Sequence, residues 1–350
     1  MTDFYSLPVD AQAECMTDLA RAALRFWDGE FDQLKLIKYR ENAVFSAVRS
    51  DGKRIALRVH RHAYHTDAEL RSELQWMQAL DRAGVAVPEA VPSAAGEEFV
   101  VVSSSDVPEP RQVDMLGWLD GQPVGAVEST QSGDADALAA IYFEAGRLAA
   151  RLHNQAVAWQ PPPGFSRHAW DAEGLVGEEP FWGRFWQLEL LNEDQVELIQ
   201  RARVQAREDL AAFGQTPQNY SLIHADFVPE NLLKDDGQLR LIDFDDAGFG
   251  WHMFELATAL YFHIDADYYE GIKSALFAGY RTERQLSTAD EAKLLLFLFL
   301  RSTTYLGWSH TRSETETAQE LGPMIVERTC ALATEYLRGI EVEAGRAAVS

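Results

Sequence analysis

The most informative segment of this chain runs from Leu222 to Leu233 and reads LIHADFVPENLL. A second segment, Leu241–Asp246, follows shortly after it and reads LIDFDD. Asp226 and Asn231 lie in a loop between two short apolar runs of the first segment, and Asp243 follows the next apolar run. An Asp-Asp-Gly turn between the segments predicts a hairpin. The three polar residues are therefore expected at the ends of neighbouring strands.

The order of these residues predicts phosphoryl-transfer chemistry. The pattern H-x-D-x-x-x-x-N, followed by I-D-F after a hairpin, is typical of a kinase catalytic loop and its metal-binding aspartate. In that layout Asp226 accepts the proton of the attacking hydroxyl, while Asn231 and Asp243 hold Mg²⁺, which prefers oxygen ligands. The alternative is a polar loop in which Asp226 and Asn231 cap turns. Three chemically matched residues at this spacing favour the catalytic interpretation.

Composition indicates a globular protein and excludes two classes of partner. The 350 residues are 47% hydrophobic and 25% charged, which suits two lobes with a sizeable core. The formal net charge is −24, whereas nucleic-acid and anionic-membrane binding require basic patches. We therefore expect neither partner. The acidic field favours cationic ligands, although acidic surfaces also serve solubility alone. The oligomeric state is left open.

The sequence also predicts a cytoplasmic location. Cys15 and Cys330 lack the spacing of a metal site and are interpreted as incidental thiols in a reducing compartment. The first residues have neither the basic nor the apolar region of a signal peptide. The apolar run at 294–300 is far too short to span a bilayer, so it predicts a buried helix.

The first third of the chain is predicted to form strands around one inserted helix. Strands are expected at 33–40, 43–49, 54–60, 98–103 and 111–118, and helices at 11–27 and 66–83. Asp51 and Gly52 predict a hairpin turn. Thr66 and Glu69 have the spacing of a capping box at the start of the second helix.

The remainder is predicted to be mainly helical. After a Gly/Ser/Asp-rich linker at 124–136, helices are expected at 138–156, 193–213, 251–262, 267–280, 289–306 and 315–337. The fold class is therefore α+β. We predict an N-terminal nucleotide-binding lobe at 1–118 and a helical catalytic lobe at 119–350, with a hinge near 116–123. Trp118 and Leu119 in this hinge are the candidates for adenine binding.

Four further residues are candidates for binding the nucleotide. Arg58 lies among apolar strand residues, where a fixed cation can meet phosphates, and Glu73 on the following helix is its expected partner. Glu69 is the alternative partner, and an exposed edge-strand position is the alternative for Arg58 itself. Asn42 and Ala43 occupy the place of a phosphate-covering loop, although the absence of glycine there is equally typical of an ordinary hairpin.

At these residues the chain resembles the aminoglycoside phosphotransferase/choline kinase superfamily, over roughly 34–262. Residues 57–61 and 73–76 look like its homoserine-kinase-like and choline-kinase-like branches, in which Arg can replace the usual Lys. The resemblance implies a two-lobed protein-kinase-like fold, with an N-terminal antiparallel sheet plus helix. It also implies that Asp226 is the base, that Asn231 and Asp243 bind Mg²⁺, and that Arg58 and Glu73 form the phosphate-side ion pair.

Three departures from the family pattern bear on the function. Ala225 stands where protein kinases have the Arg of H-R-D, and only the short link 245–250 separates Asp243 from the next helix. Both features argue against a phosphoregulated protein kinase and for a small substrate. Glu255 stands where the family usually has an aspartate that braces the catalytic loop.

The expected reaction is ATP- and Mg²⁺-dependent transfer of the γ-phosphate to a hydroxyl of a small, amine-bearing metabolite. Homoserine, hydroxylysine, choline, ethanolamine and aminosugars are the substrate types that the resemblance implies. A bacterial Ser/Thr protein kinase of the same fold and an inert nucleotide-binding regulatory module are the alternatives.

An acidic and aromatic pocket is predicted to select the cationic or zwitterionic substrate. The candidates are Trp170 and Asp171 in a loop-rich insert, Tyr305 and Trp308 after a buried helix, and Asp245 beside the metal ligand. Aromatic faces next to a carboxylate favour ammonium groups. The alternative is that these aromatic residues fill the core of the lobe.

Overall fold

The computed structural model describes residues 4–40, 42–125 and 135–347, without the side chains of 341–347. This part of the chain divides into two units. The first unit comprises the residues up to Gln122 together with Trp159–Arg167 and Leu233–Ile242. The second comprises Pro123–Ala158, His168–Leu232 and the chain from Asp243 onwards. The lobe boundary at 118/119 stays a prediction, and most of the predicted linker lies outside the described residues.

The first unit contains a six-stranded antiparallel sheet. Its strands are β1 Phe31–Tyr39, β2 Ala43–Arg49, β3 Arg54–Val59, β4 Ala90–Val91, β5 Val100–Val102 and β6 Arg111–Gly117. The order is β1-β2-β3-β6-β4, and β5 also pairs with β6. The five predicted strands are all present. The sequence did not indicate β4, because two residues are too short to show an alternating pattern.

Alternating burial along the central strands explains why they form a sheet. Ala43, Phe45 and Ala47 on β2 are buried together with Leu57 and Val59 on β3, and helix α1 (Val9–Ala23) belongs to the same hydrophobic cluster. The β2–β3 turn contains Gly52 at φ +85°, a conformation that only glycine adopts without strain. The predicted hairpin turn is therefore confirmed.

Helix α2 (Asp67–Arg82) begins with the predicted capping box. The hydroxyl of Thr66 accepts the backbone N–H of Glu69, and the carboxylate of Glu69 accepts the N–H of Thr66. The buried apolar stripe along the helix consists of Leu70, Leu74, Met77 and Leu80. Glu73 is buried beside that stripe, although it carries a carboxylate. A buried charge requires a partner, and the partner lies on the sheet.

The second unit is mainly helical. Its helices are α3 Ala135–Ala158, α4 Ala172–Val176, α5 Glu193–Phe213, α6 His252–Leu260, α7 Tyr269–Glu283, α8 Thr288–Glu291, α9 Leu294–Thr311 and α10 Glu316–Ala347. Helices α3 and α7 approach so closely that a Cβ on Gly146 would lie 2.0 Å from the carbonyl oxygen of Leu276. The helix predicted at 289–306 is two helices, α8 and α9, and α9 continues to Thr311.

Short strands position the segment 222–233. They are β7 Gln122–Pro123, β8 Ala169–Trp170, β9 Tyr220–Ile223, β10 Leu232–Asp235, β11 Gln238–Leu241 and β12 Gly248–Trp251. The loop with Asp226 follows β9, and Asp243 lies between β11 and β12. Strands β10 and β11 are hydrogen-bonded neighbours, as the predicted hairpin requires.

The α+β class is confirmed, with the antiparallel sheet in the N-terminal part and helices in the C-terminal part. Within the described residues, no helix combines the length and the apolarity needed to cross a membrane.

Candidate active site

The catalytic loop begins with a strained residue that a buried glutamate holds in place. Ala225 has φ +64°, in the left-handed region that a non-glycine residue adopts at a cost of roughly 1–3 kcal/mol. The carboxylate of Glu255, on α6, accepts the backbone N–H groups of His224 and Ala225 at 2.7 Å each. Burial raises the pKa of Glu255, while His224 and the two N–H groups oppose that shift. Glu255 therefore braces the loop at the position where the family has an aspartate.

We expect Glu255→Gln to lower the free energy of unfolding by roughly 1–3 kcal/mol. The amide oxygen can accept one of the two N–H groups, but the NH₂ group then faces the other donor. Thermal unfolding measures the loss. Glu283→Gln is the control, because Glu283 binds Arg147 and Arg151 in a partly exposed position, where ion pairs contribute about 1 kcal/mol or less. Equal losses of unfolding free energy in the two variants would contradict the inference that Glu255 holds the catalytic loop in place.

The carboxylate of Asp226 is held at both oxygens. Nδ2 of Asn231 donates to Oδ2 of Asp226 at 2.8 Å and to its carbonyl oxygen at 2.9 Å. Nη2 of Arg301 donates to Oδ1 at 2.9 Å. The Asp226 side chain is still 27% exposed, so an acceptor hydroxyl can reach it. Because both partners of Nδ2 are acceptors, the amide orientation is defined and leaves Oδ1 of Asn231 as the atom able to bind a metal.

Arg301, on α9, is a residue of this site that the sequence analysis missed. Its side chain is completely buried, and besides Asp226 it donates to the carbonyl oxygen of Ala225 at 2.9 Å and to the Tyr305 hydroxyl at 2.7 Å. Its guanidinium also lies over the Tyr305 ring, 4.3 Å from the centroid. One signal was available, since Arg301 is a charged residue directly after the apolar run 294–300. Arginine is almost never fully buried without a partner.

The second segment supplies further carboxylates. Asp243 has φ +67°, a left-handed conformation that aspartate tolerates better than most residues, and it is exposed. The pKa of Asp246 is raised well above its usual value by burial and by the negative charges of Asp226 and Asp245, with Arg301 opposing. Oxygen donors in a concentrated negative field fit a hard divalent cation such as Mg²⁺. Asn231 and Asp243 stay the predicted ligands.

In the first unit, Arg58 belongs to a buried ionic cluster. Its Nε and Nη2 donate to the two carboxylate oxygens of Asp114 at 3.0 and 2.8 Å, and its Nη1 donates to Glu73 at 2.8 Å. His60 contacts the same Asp114 oxygen as Nη2. Although burial opposes it, the charges of Arg58 and His60 hold the pKa of Asp114 below its usual range. The edge-strand alternative for Arg58 is wrong, because β3 lies between β2 and β6.

Asp114 and Arg167 are further members of this cluster that the sequence analysis did not identify. Asp114 is the Cα partner of Arg58 across the β3–β6 ladder, which explains the two-pronged contact. Nη1 of Arg167 lies 3.6 Å from Oε2 of Glu73 and donates to the carbonyl oxygen of Glu69. The side chain of Glu69 thus caps helix α2, and only its carbonyl oxygen binds the cluster. The carboxylate that pairs with Arg58 is that of Glu73. The phosphate-binding role of Arg58 and Glu73 stays a prediction.

We expect Arg58→Lys to lower the free energy of unfolding by roughly 1.5–3 kcal/mol, the range for hydrogen bonds to charged groups. A lysine ammonium cannot span both oxygens of Asp114 and also reach Glu73 in the same plane. Denaturant unfolding measures the change. Arg54→Lys on the same strand is the control, because Arg54 pairs with Asp120 in an exposed position. Equal effects of the two substitutions would contradict a structural role for the planar fork.

The other candidates for nucleotide binding, Asn42, Ala43, Trp118 and Leu119, lie outside this ionic cluster. Oδ1 of Asn42 accepts the backbone N–H of Arg61, and Ala43 is buried in the β2–β3 ladder. The backbone N–H of Trp118 already donates to the carbonyl oxygen of Arg54, whose guanidinium lies 4.0 Å from the Trp118 ring centroid. A backbone donor for adenine at this position would therefore have to come from Leu119.

The substrate candidates fall into two groups. Trp170 is completely buried and donates its indole N–H to the carbonyl oxygen of Asp246, while Asp171 caps helix α4. Trp170 therefore fills the core, the alternative left open by the sequence, and Asp171 has a local structural role as a helix cap. Tyr305 binds Arg301 directly behind Asp226. Trp308 is half-buried, and Asp245 is buried.

Known kinases resemble this chain over most of its length. Residues 35–288 match the model of the phosphotransferase enzyme family. Amicoumacin kinase of Bacillus subtilis (strain 168) is 24% identical over 312 residues, which cover 86% of this chain and 87% of that protein. The structure of a microcompartment-associated aminopropanol kinase is 32% identical, with a TM-score of 0.78 over 95% of this chain and 98% of that chain.

A second solved structure shows the same fold. Amicoumacin kinase in complex with AMP-PNP, Ca²⁺ and Ami is 21% identical, with a TM-score of 0.75 over 93% of this chain and 95% of that chain. The predicted kinase-like fold and the family resemblance are confirmed.

Proposed function

Since the chain belongs to the phosphotransferase enzyme family and is a kinase, we propose that it transfers the γ-phosphate of ATP to the hydroxyl of a small amino alcohol in a Mg²⁺-dependent reaction. The observation that carries this proposal is the carboxylate of Asp226, which is anchored at both oxygens and still reachable from solvent. An anchored, accessible carboxylate is what a general base requires.

Each of the site residues has a separate role in the proposed reaction. Asp226 orients the acceptor hydroxyl and takes its proton as the hydroxyl oxygen bonds to the γ-phosphorus of ATP and the bond from that phosphorus to ADP breaks. Oδ1 of Asn231 and the carboxylate of Asp243 would hold Mg²⁺, which supplies charge neutralisation on the phosphate oxygens when it is bound. Arg58, kept rigid by Asp114 and Glu73, is the residue that we assign to the nucleotide phosphates.

Two observations support an amine on the acceptor. The chain carries a formal net charge of −24, which attracts cations. The relative that is 32% identical is described as an aminopropanol kinase, and aminopropanol joins a hydroxyl to an amine, as homoserine, hydroxylysine, choline, ethanolamine and aminosugars do. We therefore place the substrate in this chemical class, with ATP as the donor and no protein as the acceptor.

A coupled assay of ADP release over hydroxylated amines, amino acids and aminosugars tests this proposal. Each amine is paired with the alcohol that lacks it, such as propanol for aminopropanol, because the proposal requires the amine to raise kcat/KM. Asp226→Asn enzyme is the background control. If the alcohols support ADP release as well as the matching amines do, the proposed substrate class is wrong. It is also wrong if only added proteins support ADP release.

A further inference from the structure

The catalytic loop, residues 224–231, contains no arginine or lysine, and α9 supplies an arginine. Ala225 stands where a protein kinase carries arginine, and the guanidinium of Arg301 reaches the loop from a position 75 residues beyond Asp226. It donates through Nη1 to the carbonyl oxygen of Ala225 and through Nη2 to Oδ1 of Asp226. The two contacts join the backbone and the carboxylate of consecutive residues to one planar group.

The peptide of Ala225 is held from two sides. Glu255 accepts its N–H, while Arg301 donates to its carbonyl oxygen. Both side chains are completely buried and of opposite charge. A left-handed alanine persists only where its surroundings over-determine it, and these two charged contacts do so. The same backbone conformation sets the direction in which the next side chain, Asp226, leaves the loop.

We propose that Arg301 is a positioning residue for the phosphoryl transfer, fixing the catalytic loop and the orientation of the Asp226 carboxylate. This inference rests on the proposed function. With Arg301 on Oδ1 and Asn231 on Oδ2, the carboxylate cannot rotate without losing a charge-assisted hydrogen bond. The lone pair that receives the proton therefore keeps one direction towards the acceptor. Tyr305 in turn holds the guanidinium at 2.7 Å.

The planar fork explains why this residue is an arginine. Nη1 and Nη2 reach two different acceptors at 2.9 Å each. A lysine offers one nitrogen, so it can keep the charge but not both contacts in the same geometry. Charge and geometry can therefore be separated by two substitutions at one position.

Steady-state kinetics of Arg301→Met and Arg301→Lys test the inference with the acceptor that the amino-alcohol assay identifies. We expect kcat to fall about 100-fold in Arg301→Met, the cost of a misplaced catalytic group. Arg301→Lys should recover part of this loss. The acceptor KM, and the Kd of Mg²⁺–AMP-PNP measured by calorimetry, should change by less than about threefold. A merely structural defect would not separate kcat from both binding constants.

Arg328→Met is the matched control. Arg328 is also largely buried on a C-terminal helix, and it binds Asp265 and the carbonyl oxygen of Tyr261. We expect Arg328→Met to lose stability while kcat stays within about twofold of wild type. An equal loss of kcat in Arg328→Met, or an unchanged kcat in Arg301→Met or Arg301→Lys, would overturn the inference.

A crystallographic readout separates this inference from the proposed function. If the wild-type enzyme phosphorylates no acceptor, the proposed function fails, and the position of Asp226 is then compared between wild-type and Arg301→Lys crystals. A displaced Asp226 carboxylate and a changed φ at Ala225 would support the positioning role. An unmoved catalytic loop would refute it. Arg301→Lys serves here because it retains the buried charge and is the variant better suited to folding.

Discussion

Replacing Asp226 by asparagine is expected to lower kcat about 1,000-fold while Mg²⁺–nucleotide binding stays within about a few-fold of wild type. Loss of a positioned general base typically costs about 10²–10⁴ in rate, because the group acts in the chemical step. Binding is expected to survive, since the residues proposed to bind the nucleotide and the metal do not include the base. Steady-state kinetics and calorimetry with AMP-PNP measure the two quantities separately.

The Asp226→Asn substitution also changes the hydrogen bonds that Asn231 and Arg301 make to this side chain. An asparagine at 226 can still accept from Arg301 through Oδ1, but its NH₂ group faces Nδ2 of Asn231. Asp226→Ala removes this donor–donor conflict and should show the same loss of kcat. Asp265→Asn, which changes an exposed ion pair with Arg328, is the control for the loss of one negative charge. Wild-type turnover in both Asp226 variants would remove this residue from the mechanism.

Asp243→Ala should weaken Mg²⁺-dependent nucleotide binding by at least about 100-fold. A cation at this site would keep few protein ligands, and a carboxylate is the strongest of them. Titration calorimetry in Mg²⁺ and in EDTA measures the metal-dependent part directly. We expect the residual affinity of the variant to equal that of the wild-type enzyme in EDTA.

The left-handed backbone at Asp243 affects what an alanine substitution measures, so a second substitution is needed. Alanine at φ +67° adds strain that is unrelated to metal binding, whereas asparagine accepts this conformation readily. Asp243→Asn therefore removes the charge without that strain and keeps one oxygen ligand. Its affinity should lie between those of wild type and Asp243→Ala. Identical Mg²⁺ dependence in all three proteins would contradict the assignment of Asp243 as a ligand.

Patterns within the sequence were enough to predict the local structure and the order of the chemical groups. The predicted strands, the Asp51–Gly52 turn and the Thr66–Glu69 capping box were all recovered, because alternation, turn chemistry and caps depend on neighbours a few residues apart. The H-x-D-x-x-x-x-N spacing belongs to the same class of signal. Asp226 and Asn231 share one loop, and their hydrogen bond spans five positions.

The residues from distant parts of the chain that complete those groups could not be predicted, because their contacts form only in the folded protein. Asp114 meets Arg58 because β3 and β6 pair in one register, and a shift of one residue would turn either side chain to the opposite face. Arg301 and Glu255 reach the catalytic loop from helices α9 and α6. Trp170 is a core residue because the rings of Trp182 and Phe254 pack against it. Such contacts depend on packing and register, which arise between elements far apart in sequence and leave no short-range pattern.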